Sequence, residues 1–81
     1  AVTVPINAGE RSALISFAFN VGEGAFRGST LVEELNRGRR NRAALEFGKW
    51  ARSGGRLLSA LIKRRAAEAA LFVGTKLVPG A

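Results

Sequence analysis

Eighty-one residues carry a net charge of +7 with no cysteine, histidine or aspartate, which excludes disulfides, thiolate or imidazole metal sites, and any Ser-His-Asp or Cys-His nucleophile. One small domain is expected, burying only about 60% of its unfolded surface, yet 47% hydrophobic content is too high for a disordered chain. No apolar run approaches the ~20 residues of a membrane span.

Ala1 to Ile6 reads as an extended lead, and residues 1–9 have neither the basic start nor the apolar stretch of a signal peptide. Asn7 is a plausible N-cap with Glu10 three positions on. A helix is predicted over 8–21. From Ala13 to Phe19 only Ser16 interrupts its apolar residues, so it is expected to be buried all round, at the centre of the domain. Gly22 to Gly28 forms a turn, with Phe26 as its anchor. Thr30 and Glu33 have capping-box spacing for a short helix to Asn36 that places Leu31, Val32 and Leu35 inward. A further helix is predicted over 41–51 with Ala44, Leu45 and Phe47 inward, followed by an Arg52-Ser53-Gly54-Gly55 loop. The last helix spans 57–73, its buried face formed by Leu58, Ile62, Ala69, Phe72 and Val73, with Gly74 as its stop. Residues 75–81 read as a loose tail. The expected fold class is all-α, one domain over 1–81 of about five helices around a buried central helix.

Charge is uneven. Residues 1–36 hold two arginines against four glutamates, whereas residues 37–81 hold eleven basic residues against Glu46 and Glu68. A basic half implies an anionic partner such as a wall polymer, a nucleic acid or a membrane surface.

Ser16 to Leu31 reads SFAFNVGEGAFRGSTL, which resembles the middle section of the phage-type lysozymes, the endolysin muramidases. Ala44 to Gly55, with Trp50 and the glycine pair, is similar to that family's W-x-x-A/S-G-G segment. Leu61 to Phe72 is similar to its terminal L-x-x-R-R-x-x-E-x-x-L-F helix. The likeness covers Val4 to Gly74. It implies a peptidoglycan β-1,4 muramidase, made in the host cytoplasm and acting on the cell wall. It also implies that this chain matches the C-terminal, helical lobe. The family's catalytic Glu, Asp and Thr lie on a preceding lobe, so no catalytic residue, metal or other cofactor is expected here. The partners implied are peptidoglycan glycan strands, a catalytic lobe from the same precursor or a separate chain, and a second copy pairing through an exposed interlobe face.

Asn20, on the lip of the glycine turn, can donate to and accept from a sugar acetamido group; its structural role would be to satisfy local carbonyls. Phe19 beside it belongs either to the cleft floor or, the favoured reading, to the core. Ser29 and Thr30 match a family pair at the cleft mouth and are also capping residues. Trp50 is either a core indole or a platform for sugar stacking. Arg64 and Arg65 match an arginine pair one of whose members reaches the acidic centre of the other lobe, so one guanidinium is expected to be exposed; pairing of Arg64 with Glu68 is the alternative. Glu10 and Glu33 read as capping residues, Glu34 and Glu68 as solvated or salt-bridged helix positions and Glu23 as a loop charge.

Two further function classes remain. The last helix sets Arg56, Lys63, Arg64 and Arg65 beside an apolar stripe, a pattern of membrane-active cationic proteins. A nucleic-acid reader is disfavoured, because the helix that would enter the groove carries Leu45 and Phe47 where polar groups are needed.

Overall fold

The computed structural model describes residues 1–74; the tail expected over 75–81 lies outside them. Five helices form the body: α1 (Ala8–Val21), α2 (Glu23–Arg27), α3 (Thr30–Asn36), α4 (Arg40–Glu46) and α5 (Ser59–Val73). A 3-10 turn, Phe47–Trp50, extends α4. It leads into a two-stranded antiparallel hairpin, β1 (Arg52–Ser53) and β2 (Arg56–Leu57), which pairs Arg52 with Leu57 and Ser53 with Arg56. The hairpin replaces the expected loop. Gly54 and Gly55 both have positive φ, at 60° and 82°, the backbone that a two-residue turn between twisted strands requires. Strands of two residues are too short to show an alternating pattern.

Local chemistry sets the helix ends. At α1, the Glu10 N–H donates to Asn7 Oδ1 at 2.7 Å and the Asn7 N–H donates to Glu10 Oε1 at 2.9 Å, the reciprocal box expected. At α3 the cap is Ser29 rather than Thr30: its Oγ accepts from the Val32 N–H at 3.2 Å and donates to the Phe26 carbonyl at 2.7 Å. Glu33 is not in the cap; it pairs with Arg37 at 3.0 Å. The extended lead is pinned by Asn36, whose amide accepts from the Thr3 N–H and donates to the Ala1 carbonyl, both at 2.7 Å.

Phe17 is the centre of the core. Its ring meets Phe47 at 5.3 Å, Trp50 at 5.4 Å and Phe26 at 6.2 Å, all edge to face, and Phe47 extends the stack to Phe72 at 5.4 Å. Leu14, Leu31, Leu35 and Ala43 complete the buried cluster. Helix α1 is central but not enclosed. Its buried positions are Glu10, Ala13, Leu14 and Phe17, while Ile15 and Phe19 are 62% and 87% exposed. Phe19 is therefore not a core residue, since the other elements cover a single face of the helix.

The inward faces of the later helices also differ from expectation. In α4 and its extension Ala43 and Phe47 are buried and Leu45 is exposed. In α5 the buried positions are Arg65, Glu68 and Phe72, whereas Leu58, Ile62 and Val73 are exposed. The face is rotated because Arg65 and Glu68 satisfy one another inside, which a pattern of apolar residues cannot reveal.

Helices α1 and α5 are in tight contact at Gly9, where an added Cβ would lie 2.9 Å from the Leu71 carbonyl oxygen. Gly9→Ala should therefore lower stability by about 1–3 kcal/mol through overpacking, despite alanine's better helix propensity. Urea denaturation of both chains measures it.

Candidate functional site

The turn at Gly22, φ 99°, ends α1 just after Asn20 and Val21. The hairpin and the first turns of α5 come up beside that end. Between them lies a concavity of about 340 Å³, lined by Asn20, Val21, Trp50, Arg52, Ser53 and Leu61. It joins an amide, an indole, a guanidinium and a hydroxyl. Trp50 is half-buried and meets Phe17 edge to face, so it contributes both to the core and to this surface.

Asn20 also meets a buried charge pair. Arg65 and Glu68 are 1% and 3% exposed, with Arg65 Nε 2.9 Å from Glu68 Oε1. Arg65 Nη2 donates to Glu68 Oε2 at 3.3 Å and to Asn20 Oδ1 at 2.9 Å. The guanidinium carbon stands 5.2 Å from the centre of the Phe17 ring, within cation–π range. Ser16 Oγ donates to Glu68 Oε2 at 2.5 Å, and Arg64 Nε approaches that oxygen at 3.4 Å from outside. Burial pulls the Arg65 guanidinium below its ordinary pKa, Glu68 opposes that shift, and Arg64 adds to it. The group stays cationic at neutral pH because arginine starts so high.

The pair gives Asn20 a defined orientation. Its oxygen faces the guanidinium, so its NH₂ group is turned away from the pair, and among the described residues no acceptor takes it. Two N–H donors are free for an acceptor brought into the concavity.

Of the residues singled out from sequence, Asn20 and Trp50 line this concavity together. Phe19 does not. One step along a helix is 100° of rotation, and Phe19 lines a separate groove with Ile15 and Phe26. Ser29 is buried in its cap and Thr30 is exposed on the first turn of α3; neither lines the concavity. Arg64 is the half-exposed guanidinium and Arg65 the internal one. Glu68 is buried and salt-bridged, not solvated. Sequence reasoning missed Arg52 and Ser53, for which the one available signal was the Gly54-Gly55 turn that places them opposite Trp50.

No glutamate lines the concavity. All six glutamates of the chain lie in the described region, and each has a cation: Glu10 with Arg40 at 2.7 Å, Glu23 with Arg27, Glu33 with Arg37, Glu34 with Arg39 at 3.3 Å, Glu46 with Lys49 at 2.9 Å, and Glu68 with Arg64 and Arg65.

The phage lysozyme family model matches residues 1–68. The chain belongs to the phage lysozyme family. It is 51% identical over 72 residues to the endolysin of Bacillus phage PZA, covering 89% of this chain and 28% of that protein. The endolysin from Escherichia coli O157:H7 phage FAHEc1 superposes with a TM-score of 0.84 at 27% identity, covering 96% of this chain and 51% of that one. The muramidase domain of SpmX from Asticaccaulis excentricus does so with a TM-score of 0.81 at 36% identity, covering 96% and 53%. The chain thus spans about half or less of these lysozyme-family proteins.

The buried pair predicts a sharp asymmetry. Glu68→Ala leaves a buried guanidinium without its counter-charge and should cost about 3–5 kcal/mol. Replacing both partners by apolar residues, Arg65→Met with Glu68→Leu, should cost far less. Chemical denaturation of the two variants checks the difference.

Proposed function

We propose that this chain is the C-terminal lobe of a cell-wall lysozyme, forming one wall of the cleft that holds peptidoglycan. The complete enzyme would hydrolyse the β-1,4 bond between N-acetylmuramic acid and N-acetylglucosamine. This lobe binds the glycan and does not cleave it. The observation that carries the reading is the concavity of Asn20, Trp50, Arg52 and Ser53. Its donors suit acetamido and carboxyl oxygens, and its half-exposed indole offers an apolar face to a sugar ring.

Two facts support the absence of cleavage. Glycoside hydrolysis usually requires a pair of carboxyl groups across the scissile bond, one of them free to carry a proton. Here each glutamate is held by a cation and none lines the concavity. The catalytic carboxylates would come from a preceding lobe, in the same precursor or in another chain. Membrane disruption by α5 is the weaker reading. Laying that helix on a lipid surface would break the Arg65–Asn20 and Ser16–Glu68 contacts that join it to α1, and among the described residues no helix is long and apolar enough to cross a membrane.

Asn20→Asp separates binding from folding. The carboxylate keeps an oxygen for Arg65 and loses both N–H donors. Retention on purified, insoluble cell wall should fall about three- to tenfold, the scale of a lost hydrogen bond, with the melting temperature preserved. The unsubstituted chain should clear no wall suspension on its own. Wall clearing by this chain, or unchanged retention of the Asn20→Asp variant, contradicts the reading.

A further inference from the structure

Among the described residues, Arg52 is the one charged side chain that lines the concavity, and no carboxylate lies within ion-pair reach of it. Each of the six glutamates is already held by another cation. The Arg52 guanidinium makes a single long hydrogen bond, from Nη1 to the neutral Gly55 carbonyl at 3.3 Å, which leaves most of its five donors unused. A cation without a counter-charge, set beside an amide that presents its N–H groups, favours a ligand that brings negative charge. Resting on the reading of this concavity as a glycan site, we propose that it seats N-acetylmuramic acid rather than N-acetylglucosamine, with Arg52 taking a carboxylate from the muramyl substituent.

Size and chemistry select that sugar. A concavity of about 340 Å³ is at the low end of small-ligand sites, roughly 300–1,000 Å³, so the charge has to sit on the same unit as the acetamido group that Asn20 receives. The two sugars of the strand share a ring and an acetamide, and Trp50 and Asn20 cannot tell them apart. Only muramic acid adds an ether-linked lactyl group, whose carboxyl is either free or extended by a peptide; both forms leave a carboxylate on that substituent. A planar, permanently charged guanidinium grips a carboxylate through two parallel N–H bonds, a match that a neutral sugar hydroxyl does not offer. Arg42, Arg56 and Lys63 also lack ion-pair partners among the described residues, but none of them lines the concavity. The two sugars alternate along a strand. A site that accepts one of them therefore fixes the register of the strand, and with it which linkage faces the lobe that this chain does not span.

NMR titration of the full chain with three soluble probes tests the assignment. The first is neutral di-N-acetylchitobiose. The second is the disaccharide of N-acetylglucosamine and N-acetylmuramic acid with a free lactyl carboxylate. The third is that disaccharide with its lactyl carboxyl extended by alanyl-glutamate. A charged probe should bind about tenfold tighter than chitobiose at low salt, the scale of one charge-assisted hydrogen bond, and the gap should narrow as salt rises. The probe that carries the preference identifies the carboxylate as lactyl or peptide. Arg52→Gln, at an exposed position, should bring the charged probes down to the affinity of chitobiose and leave chitobiose itself unmoved, with an unchanged circular dichroism spectrum. Equal binding of all three probes, or a preference that survives Arg52→Gln, overturns the proposal and leaves the glycan site standing. Failure of every probe to bind overturns the glycan site itself, and the proposal with it.

Discussion

One buried ion pair joins the two halves of this fold. Arg65 and Glu68 lie on α5, and each takes one hydrogen bond from or to α1, Arg65 to Asn20 and Glu68 from Ser16. The guanidinium also rests against Phe17, the ring around which the aromatic core is arranged. Two charges taken from water cost several kcal/mol each and recover it only in good geometry, so this pair is poor evidence for stability. Its value is positional. Any slide of α5 along α1 breaks charged contacts in a low-dielectric interior, whereas a purely apolar seam could slip and repack.

The same constraint reaches the surface. Asn20 is both a partner of the pair and a wall of the concavity, so the ion pair fixes which end of its amide meets a ligand. Trp50 has a comparable double role, meeting Phe17 edge to face and lining the concavity with Arg52 and Ser53. Asn20 and Trp50, two of the groups proposed to bind, thereby rest on the packed core, the arrangement that keeps recognition geometry precise. The hairpin contributes through its glycine turn, which folds Arg52 and Ser53 back beside the end of α1.

Much of this was legible in the sequence. Helix α1 starts and ends where Asn7, Glu10 and Gly22 imply, and Asn20 and Trp50, both singled out by the family likeness, line one concavity. What stayed hidden has a common cause. Phe19 reads as core by hydrophobicity and Glu68 as surface by charge, yet the exposures are the reverse. Hydrophobic pattern assumes that each side chain is judged alone. It fails where two charges bury one another and where an apolar face is left uncovered. Arg52 and Ser53 were missed for a different reason: two-residue strands carry no periodicity, and only the geometry of the Gly54-Gly55 turn brings them to the site. The exchange of Thr30 for Ser29 as the cap of α3 is a one-residue ambiguity between two good capping side chains.

The account stands on Asn20, Trp50, Arg52 and Ser53 acting together as the ligand-binding surface. Its most direct test is a residue-resolved NMR titration of the ¹⁵N-labelled chain with a soluble disaccharide–peptide fragment of cell wall. The account predicts shifts concentrated at the Asn20 side-chain amide, the Trp50 indole N–H and the backbone amides of the hairpin, with Ile15 and Phe19 unmoved. Shifts centred on Phe19, or on Ser29 and Thr30, or none at saturating ligand, would contradict it.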